Sequence, residues 1–357
     1  MFAGWLRQKL INPIACRLSS AQQPSVPDTA FSVTQTLKAP KSILIVSDSR
    51  AGALFLAASQ FWAIRNCYPN AHICLLARND REFIAREIPF VNQVIIYHDF
   101  LLPFGTQMRE TVKQLQTQPF DLAFCFSSEP NFCPAYLCFK SGARIRIGFQ
   151  REDLPFFNVR IVPRTEEYYE EQRLSLLLHT LGIPQVKERV SWSVSKESAQ
   201  KIQQRFLVGR KTSETFVALD VSSSNGERPS AKQFLEIAQA TAKNVRLLVF
   251  FNFPERKIAH HIREHLGQQV LIFETDDLPK IVALLETCHH LIACNSDLFH
   301  LGVSMGLSVK GIFSAADIPK WAPSQSSKNV EIFDVEQLKT WIHQHLNHAD
   351  HTAKTAS

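Results

Sequence analysis

Two short polar stretches hold the residue types that can bind an anionic substrate. Asn295-Ser296-Asp297 lies between the apolar run Leu291-Ile292-Ala293-Cys294 and the segment Leu298 to Gly306. This spacing predicts a strand end, a turn and a helix start. Asn, Ser and Asp at that position cap a helix and leave backbone N–H groups pointing outward. A helix N-terminus also carries partial positive charge, which suits a phosphate. A helix cap that holds no ligand is the plain alternative. The second stretch is Ser222-Ser223-Ser224-Asn225-Gly226, directly after the apolar run Phe216-Val217-Ala218-Leu219-Asp220. Its hydroxyls and N–H groups suit phosphate oxygens, or it is a solvated turn. His300 falls one turn into the helix after Asp297, as a ligand or as a hydrogen-bonded helix residue.

The elements around these stretches repeat one unit. Ser42 to Val46 is a continuous apolar run, as in a central parallel strand. The loop Asp48-Ser49-Arg50-Ala51-Gly52 follows, then a helix from about Ala53 to Asn66, ended by Tyr68-Pro69. Strands are expected at Ile73–Leu76, Gln93–Tyr97, Asp121–Phe126 and Arg144–Gly148. Helices are expected at Asp80–Arg86, Thr106–Gln116, Asn131–Lys140 and Glu166–Leu181. A second alternation starts at Phe216: strands at Val245–Phe251, Val270–Phe273 and the run before Asn295, helices at Lys232–Lys243, Pro254–Leu266 and Leu278–Cys288. Strands alternating with helices imply right-handed crossovers and parallel sheets covered on both faces. The fold class is therefore α/β, with two Rossmann-like domains in tandem and a ligand cleft between them. The divisions fall at 1–40 (amphipathic segment and linker), 41–185, 186–345 and a polar tail, 346–357.

Composition narrows the class further. At 357 residues the chain suits two domains. A hydrophobic share of 45% with 20% charged residues is that of a globular protein. A net charge of +6 fits a protein that meets anions such as nucleotide diphosphates, and is too weak and dispersed for nucleic acid. The eight cysteines form no CxxC pair, which fits reduced thiols in the cytoplasm and neither a disulfide framework nor a zinc site. No metal-ligand cluster and no cofactor are expected. No apolar run of about 18 residues spans a bilayer. Phe2, Trp5, Leu6 and Leu10, with Arg7 and Lys9 between them, can lie on a membrane surface as a basic amphipathic segment. A short helix packed on the protein body is the alternative.

With both halves laid out, the chain from about Ser42 to Pro323 resembles the ADP-heptose:lipopolysaccharide heptosyltransferases, glycosyltransferase family 9, of the GT-B fold. The similarity is carried by the first strand, Gly52 and a helix closing at Tyr68-Pro69-Asn70-Ala71. It is carried also by Gly142 to Phe149, which resembles an Ala-Arg-x-Arg-Ile-Gly segment, and by Leu176 to Ile183, which resembles a Leu-Leu-x-x-Leu-Gly-Ile helix end. Asn295 to Leu301 resembles an Asp-Ser-Gly-Pro-x-His-Leu motif. Three positions depart from the family. The base position after the loop glycine is Ala53. The Asp-Ser-Gly motif reads Asn295-Ser296-Asp297. The Lys-x-Trp-Pro segment has become Glu227-Arg228-Pro229-Ser230.

The resemblance implies an inverting, metal-independent transfer of a sugar, heptose above all, from a nucleotide-sugar donor to a lipopolysaccharide or lipooligosaccharide core. ADP-heptose is the implied donor and a lipid-linked oligosaccharide the acceptor. The implied place is the cytoplasm, peripheral at the inner membrane, with the membrane surface as a further partner. Such a transfer needs a base on the attacking hydroxyl and stabilisation of the leaving diphosphate. Asp48, the one acidic residue of the first loop, is the candidate base, with a turn residue as the alternative. Ser49, Arg50 and Gly52 are the candidate acceptor contacts. Ser222, Ser223, Ser224, Arg228, Glu255, Asn295, Ser296, Asp297 and His300 are the candidate donor contacts, with Arg228 supplying charge and Glu255 meeting the ribose. Asp297 puts a carboxylate beside the proposed phosphate, where it either repels the anion or caps the helix. Two rival functions stand beside this one: a diverged paralogue with a binding or assembly role, and a transferase using another donor.

Overall fold

A computed structural model describes residues 32–47, 50, 52–98, 105–127, 132–150, 155–162, 169–184, 192–208, 214–222, 228–243, 245–323 and 329–345. The expected amphipathic start and the polar tail lie outside these residues. The chain divides into two compact units. Met1–Ser49, Ala57–Glu166 and Glu171–Arg189 form the first, and Arg50–Leu56, Glu167–Glu170 and Val190–Ser357 form the second.

The helices in chain order are α1 Val33–Lys38, α2 Ala53–Leu56, α3 Ala58–Cys67, α4 Glu82–Ala85, α5 Thr106–Gln116, α6 Phe132–Lys140 and α7 Glu170–His179. They continue as α8 Lys196–Phe206, α9 Ala231–Thr241, α10 Arg256–Leu266, α11 Leu278–Leu285, α12 Asp297–Ser304, α13 Ile318–Trp321 and α14 Val335–His345. No helix of the described residues is long and apolar enough to cross a membrane.

The first unit is built on β1 Ser42–Val46, β2 His72–Arg78, β3 Gln93–Tyr97, β4 Leu122–Cys125, β5 Ile145–Phe149 and β6 Val159–Ile161. These six strands are all parallel, in the order β3-β2-β1-β4-β5-β6. The central strands are buried along nearly their whole length, because helices cover both faces and alternation has no use there. Leu44, Val46, Cys74, Leu76, Ala123 and Cys125 pack on one side against α6, whose apolar residues Phe132 to Phe139 are all buried.

The second unit repeats the plan with β7 Phe216–Asp220, β8 Arg246–Phe251, β9 Val270–Glu274, β10 Cys288–Cys294, β11 Ser308–Ile312 and β12 Val330–Phe333. The order is β12-β11-β10-β7-β8-β9, again all parallel. Counted from each unit's own first strand, both sheets have the doubly wound order 3-2-1-4-5-6. The tandem α/β class expected from the sequence is the observed one.

Several elements differ from the sequence expectation. The helix expected over Ala53–Asn66 is two helices, α2 and α3, meeting at Ala57, and only α3 belongs to the first unit. The start of the 186–345 division, where no element was expected before Phe216, contains α8, capped by the Ser195 hydroxyl on the Ser198 N–H. α8 buries only Ala199, so it lacks the apolar stripe that announces a helix. β6 and β12, of three and four residues, are too short for a period to show. The segment around Val33 forms α1 inside the stretch expected to be a linker. The described cysteines are free thiols, and all but Cys67 are buried.

Candidate functional site

In a sheet of this order the strand connections change direction between the first and fourth strands. Loops on either side of that point diverge and leave a crevice at the carboxyl ends. In the second unit these strands are β7 and β10, which run side by side with Ala293 opposite Asp220. The loops that follow them begin at Val221-Ser222 and at Asn295-Ser296, the two stretches nominated by the sequence.

Asp220 joins the two loops. It closes β7, is fully buried, and accepts a hydrogen bond on each oxygen. The Ser222 N–H donates to Oδ1 at 2.9 Å, and the Ser296 hydroxyl donates to Oδ2 at 2.5 Å. Burial raises the Asp220 carboxyl to about 6, and the nearby Asp297 charge adds to the rise. The hydrogen bonds from Ser296 and Ser222 hold it lower than burial alone would. Sequence reasoning did not nominate Asp220. The legible signal was an ionisable residue closing a strand whose other four positions are apolar.

Ser296 is the N-cap of α12. Its Oγ accepts the Phe299 N–H at 3.2 Å while its hydroxyl proton goes to Asp220. Asp297 does not meet the capping expectation, since Ser296 is the N-cap. Its Oδ1 accepts the Gly52 N–H at 2.6 Å. Gly52 is in the left-handed region at φ 77°, and a Cβ built on it would lie 1.9 Å from Cδ2 of His300. Only glycine fits there, both by conformation and by space. The residues 50–56 thereby belong to the second unit, with α2 packed on α12.

His300 is buried, with Nε2 at 3.1 Å from Asn295 Oδ1. Its ring meets Phe299 and Trp321 edge-on. Burial lowers its pKa to about 3, so the imidazole is neutral at physiological pH. The Arg50 guanidinium lies over the other part of this cluster, 5.1 Å from the centre of the Trp321 ring. Asn295 and His300, nominated separately, are thus one hydrogen-bonded pair.

Arg228 and Glu255 are also partners. Arg228 precedes α9, and Glu255 closes the short turn after β8; Nη1 and Oε1 are 2.9 Å apart. The Glu255 side chain is 7% exposed and that of Arg228 38%, so the carboxylate is the buried member and the guanidinium the accessible one. The charge proposed for a diphosphate is therefore shared with the acid proposed for a ribose. Asp48, Ser49, Ser223 and Ser224 lie outside the described residues.

Tandem six-stranded parallel sheets of this order are the architecture of the two-domain GT-B fold. Residues 108–348, more than half of the chain, match the model of glycosyltransferase family 9 (heptosyltransferase). The chain belongs to that family, and its reaction is a glycosyl transfer. Residues 25–177 also match a family of unknown function, DUF6913. No curated protein sequence matches the chain. Among solved structures, the glycosyltransferase family 9 protein of Veillonella parvula is 15% identical, with a TM-score of 0.67 over 83% of this chain and 86% of its own. The ADP-heptose lps heptosyltransferase II of E. coli is 16% identical, with a TM-score of 0.67 over 87% and 99%. The E. coli heptosyltransferase WaaC with ADP is 16% identical, with a TM-score of 0.63 over 86% and 99%. At these identities the structures share the fold with this chain.

Proposed function

We propose that this glycosyltransferase moves a sugar, heptose above all, from a nucleotide-diphosphate donor to a lipid-linked lipopolysaccharide or lipooligosaccharide core. The transfer inverts the anomeric centre without a metal, at the cytoplasmic side of the inner membrane. The observation that carries the reading is the convergence at the second switch point. There the Ser222 loop and the capped N-terminus of α12 are tied together through Asp220, with Asn295 and His300 behind them. A helix N-terminus at a switch point suits the diphosphate, which leaves with the negative charge. The solved E. coli neighbours with ADP and with an ADP-2-deoxy-2-fluoro heptose give ADP its place as the first nucleotide to try. In this reading residues 186–345 hold the donor and residues 41–185 the acceptor, with Ser49 on the acceptor side and Asp48 as the base, while Arg50 and Gly52, expected beside them, pack within the second unit.

The test is the melting temperature of the purified protein with ADP, UDP, GDP and CMP in turn. At a hundredfold excess over its Kd, a ligand specific to the folded state adds about 2.7 kcal/mol of stability. A shift with ADP, followed by turnover of ADP-heptose that falls by roughly 10²–10⁴-fold in Asp48→Asn, is the expected result. Full turnover in Asp48→Asn removes that residue from the mechanism.

One observation favours a second reading, a transferase with another donor. Asp297 sets a carboxylate at the start of α12, and Arg228 is already engaged by Glu255. Both reduce the positive field available to a diphosphate. ADP, UDP and GDP share the diphosphate, so the observation favours a nucleoside-monophosphate donor, and a shift with CMP and none with ADP would select this reading.

A further inference from the structure

A carboxylate with no exposed surface is costly unless each oxygen is bonded. Asp220 meets that condition in a particular way. Its two donors come from the two different loops that flank the switch point: the Ser222 N–H at 2.9 Å from the loop after β7, and the Ser296 hydroxyl at 2.5 Å from the loop after β10. The same Ser296 oxygen receives the Phe299 N–H at 3.2 Å and so fixes the first turn of α12. Asp220 hence couples the position of one loop to the start of the helix opposite.

We propose that Asp220 is a positioning residue for glycosyl transfer: by bonding Ser222 and Ser296 at once, it fixes the spacing between the β7 loop and the N-terminus of α12, and with it the affinity for the nucleotide diphosphate. The inference rests on the reading of this switch point as the donor site. It goes beyond that reading by assigning a buried acid that does not itself touch the donor. A bound diphosphate places further negative charge by the carboxyl, which favours its protonated form. Binding is therefore coupled to proton uptake at Asp220. The titratable and charged groups facing it are Asp297 on α12 and Cys294 on β10, and Arg228 acts on Cys294.

The experiment is titration of ADP into the full chain from pH 5 to pH 8, for wild type, Asp220→Asn, Asp220→Ala and Ser296→Ala. Wild-type affinity should fall by about tenfold across this range for one unit of coupling, in addition to the titration of ADP itself. Asp220→Asn keeps the volume and should retain only the pH dependence of ADP. Asp220→Ala and Ser296→Ala each cut the tie and should weaken ADP by about tenfold or more. An Asp220→Asn protein with the wild-type pH profile, or a folded Ser296→Ala protein with wild-type affinity, overturns the positioning role while the donor site stands. A wild-type protein that binds no ADP at any of these pH values overturns the donor-site reading, and this inference with it.

Discussion

Gly52 shows how little freedom one residue has at this site. Its φ of 77° is strained for any L side chain, and a methyl group there would meet the His300 ring at 1.9 Å. Gly52→Ala should cost roughly 2–5 kcal/mol, combining backbone strain with overpacking. In a His300→Ala background the steric part vanishes and only the strain remains. Urea midpoints of the two single variants and the double variant measure this. An equal cost in both backgrounds would show that the His300 contact is not the cause. Asp220 and His300 give opposed pH effects. Asp220, raised from 3.8 to about 6 chiefly by burial, contributes stability that is full below about pH 4 and lost as pH rises to 6. His300, lowered from 6.5 to about 3 by burial, contributes stability that is present above pH 6.5 and lost as pH falls toward 3. Between pH 4 and 6 the two slopes work against each other. Asp220→Asn removes one of them, so between pH 4 and 7 its stability should gain on wild type by an amount of order 3 kcal/mol. Parallel pH–stability curves for the two proteins would contradict this.

At the scale of the element, α12 depends on its first residue and on the strand next door. Ser296→Ala removes the cap, worth about 1 kcal/mol, and takes from the buried Asp220 one of its two donors, worth about 1–3 kcal/mol more. The expected loss is thus roughly 2–4 kcal/mol, with Ser296→Thr close to wild type because its hydroxyl makes both bonds. Chemical denaturation measures it; a loss no larger than an ordinary cap would mean that Asp220 finds another donor. The cap itself was legible: Asn-Ser-Asp before an apolar run is a helix start, and Ser296 is its N-cap. The direction of Asp297 was not. Its two expected fates both lay on its own helix, and its partner, the Gly52 N–H, is 245 residues away. Elements with an unbroken apolar run, such as β1 and β7, or with a clear helical period, such as α5, stand where the sequence put them. α8 and β6 do not announce themselves, because a helix burying one residue and a strand of three residues carry no period.

For the whole molecule, the consequence lies in the second unit, which is discontinuous in sequence. Residues 50–56 close over α12, where Gly52 meets Asp297, Phe55 meets Trp192, and Arg50 covers Trp321. A fragment beginning at residue 190 lacks that segment. It should melt below the corresponding transition of the full chain, and its His300, opened to water, should titrate well above 3 and toward 6.5. Histidine NMR titration of fragment and full chain tests this. A fragment whose His300 stays neutral down to pH 4 would show that α12 shields the ring unaided.

The sequence by itself determined the alternation of strands and helices, the two-unit plan, the helix start at Ser296 and the family, because periods, caps and ordered motifs are short-range signals read within one stretch of chain. Only the tertiary structure decided which nominated residues act together. It joined Asn295 to His300, Arg228 to Glu255 and Asp297 to Gly52, and it brought in Asp220, which no motif marked. The reason is physical. In each pair at least one group is polar and largely withdrawn from water, so it had to find a hydrogen-bonding partner. In every case but one, that of Asn295 and His300, the partner lay on a different element, brought near only by the folding of the parallel sheet and the segment 50–56.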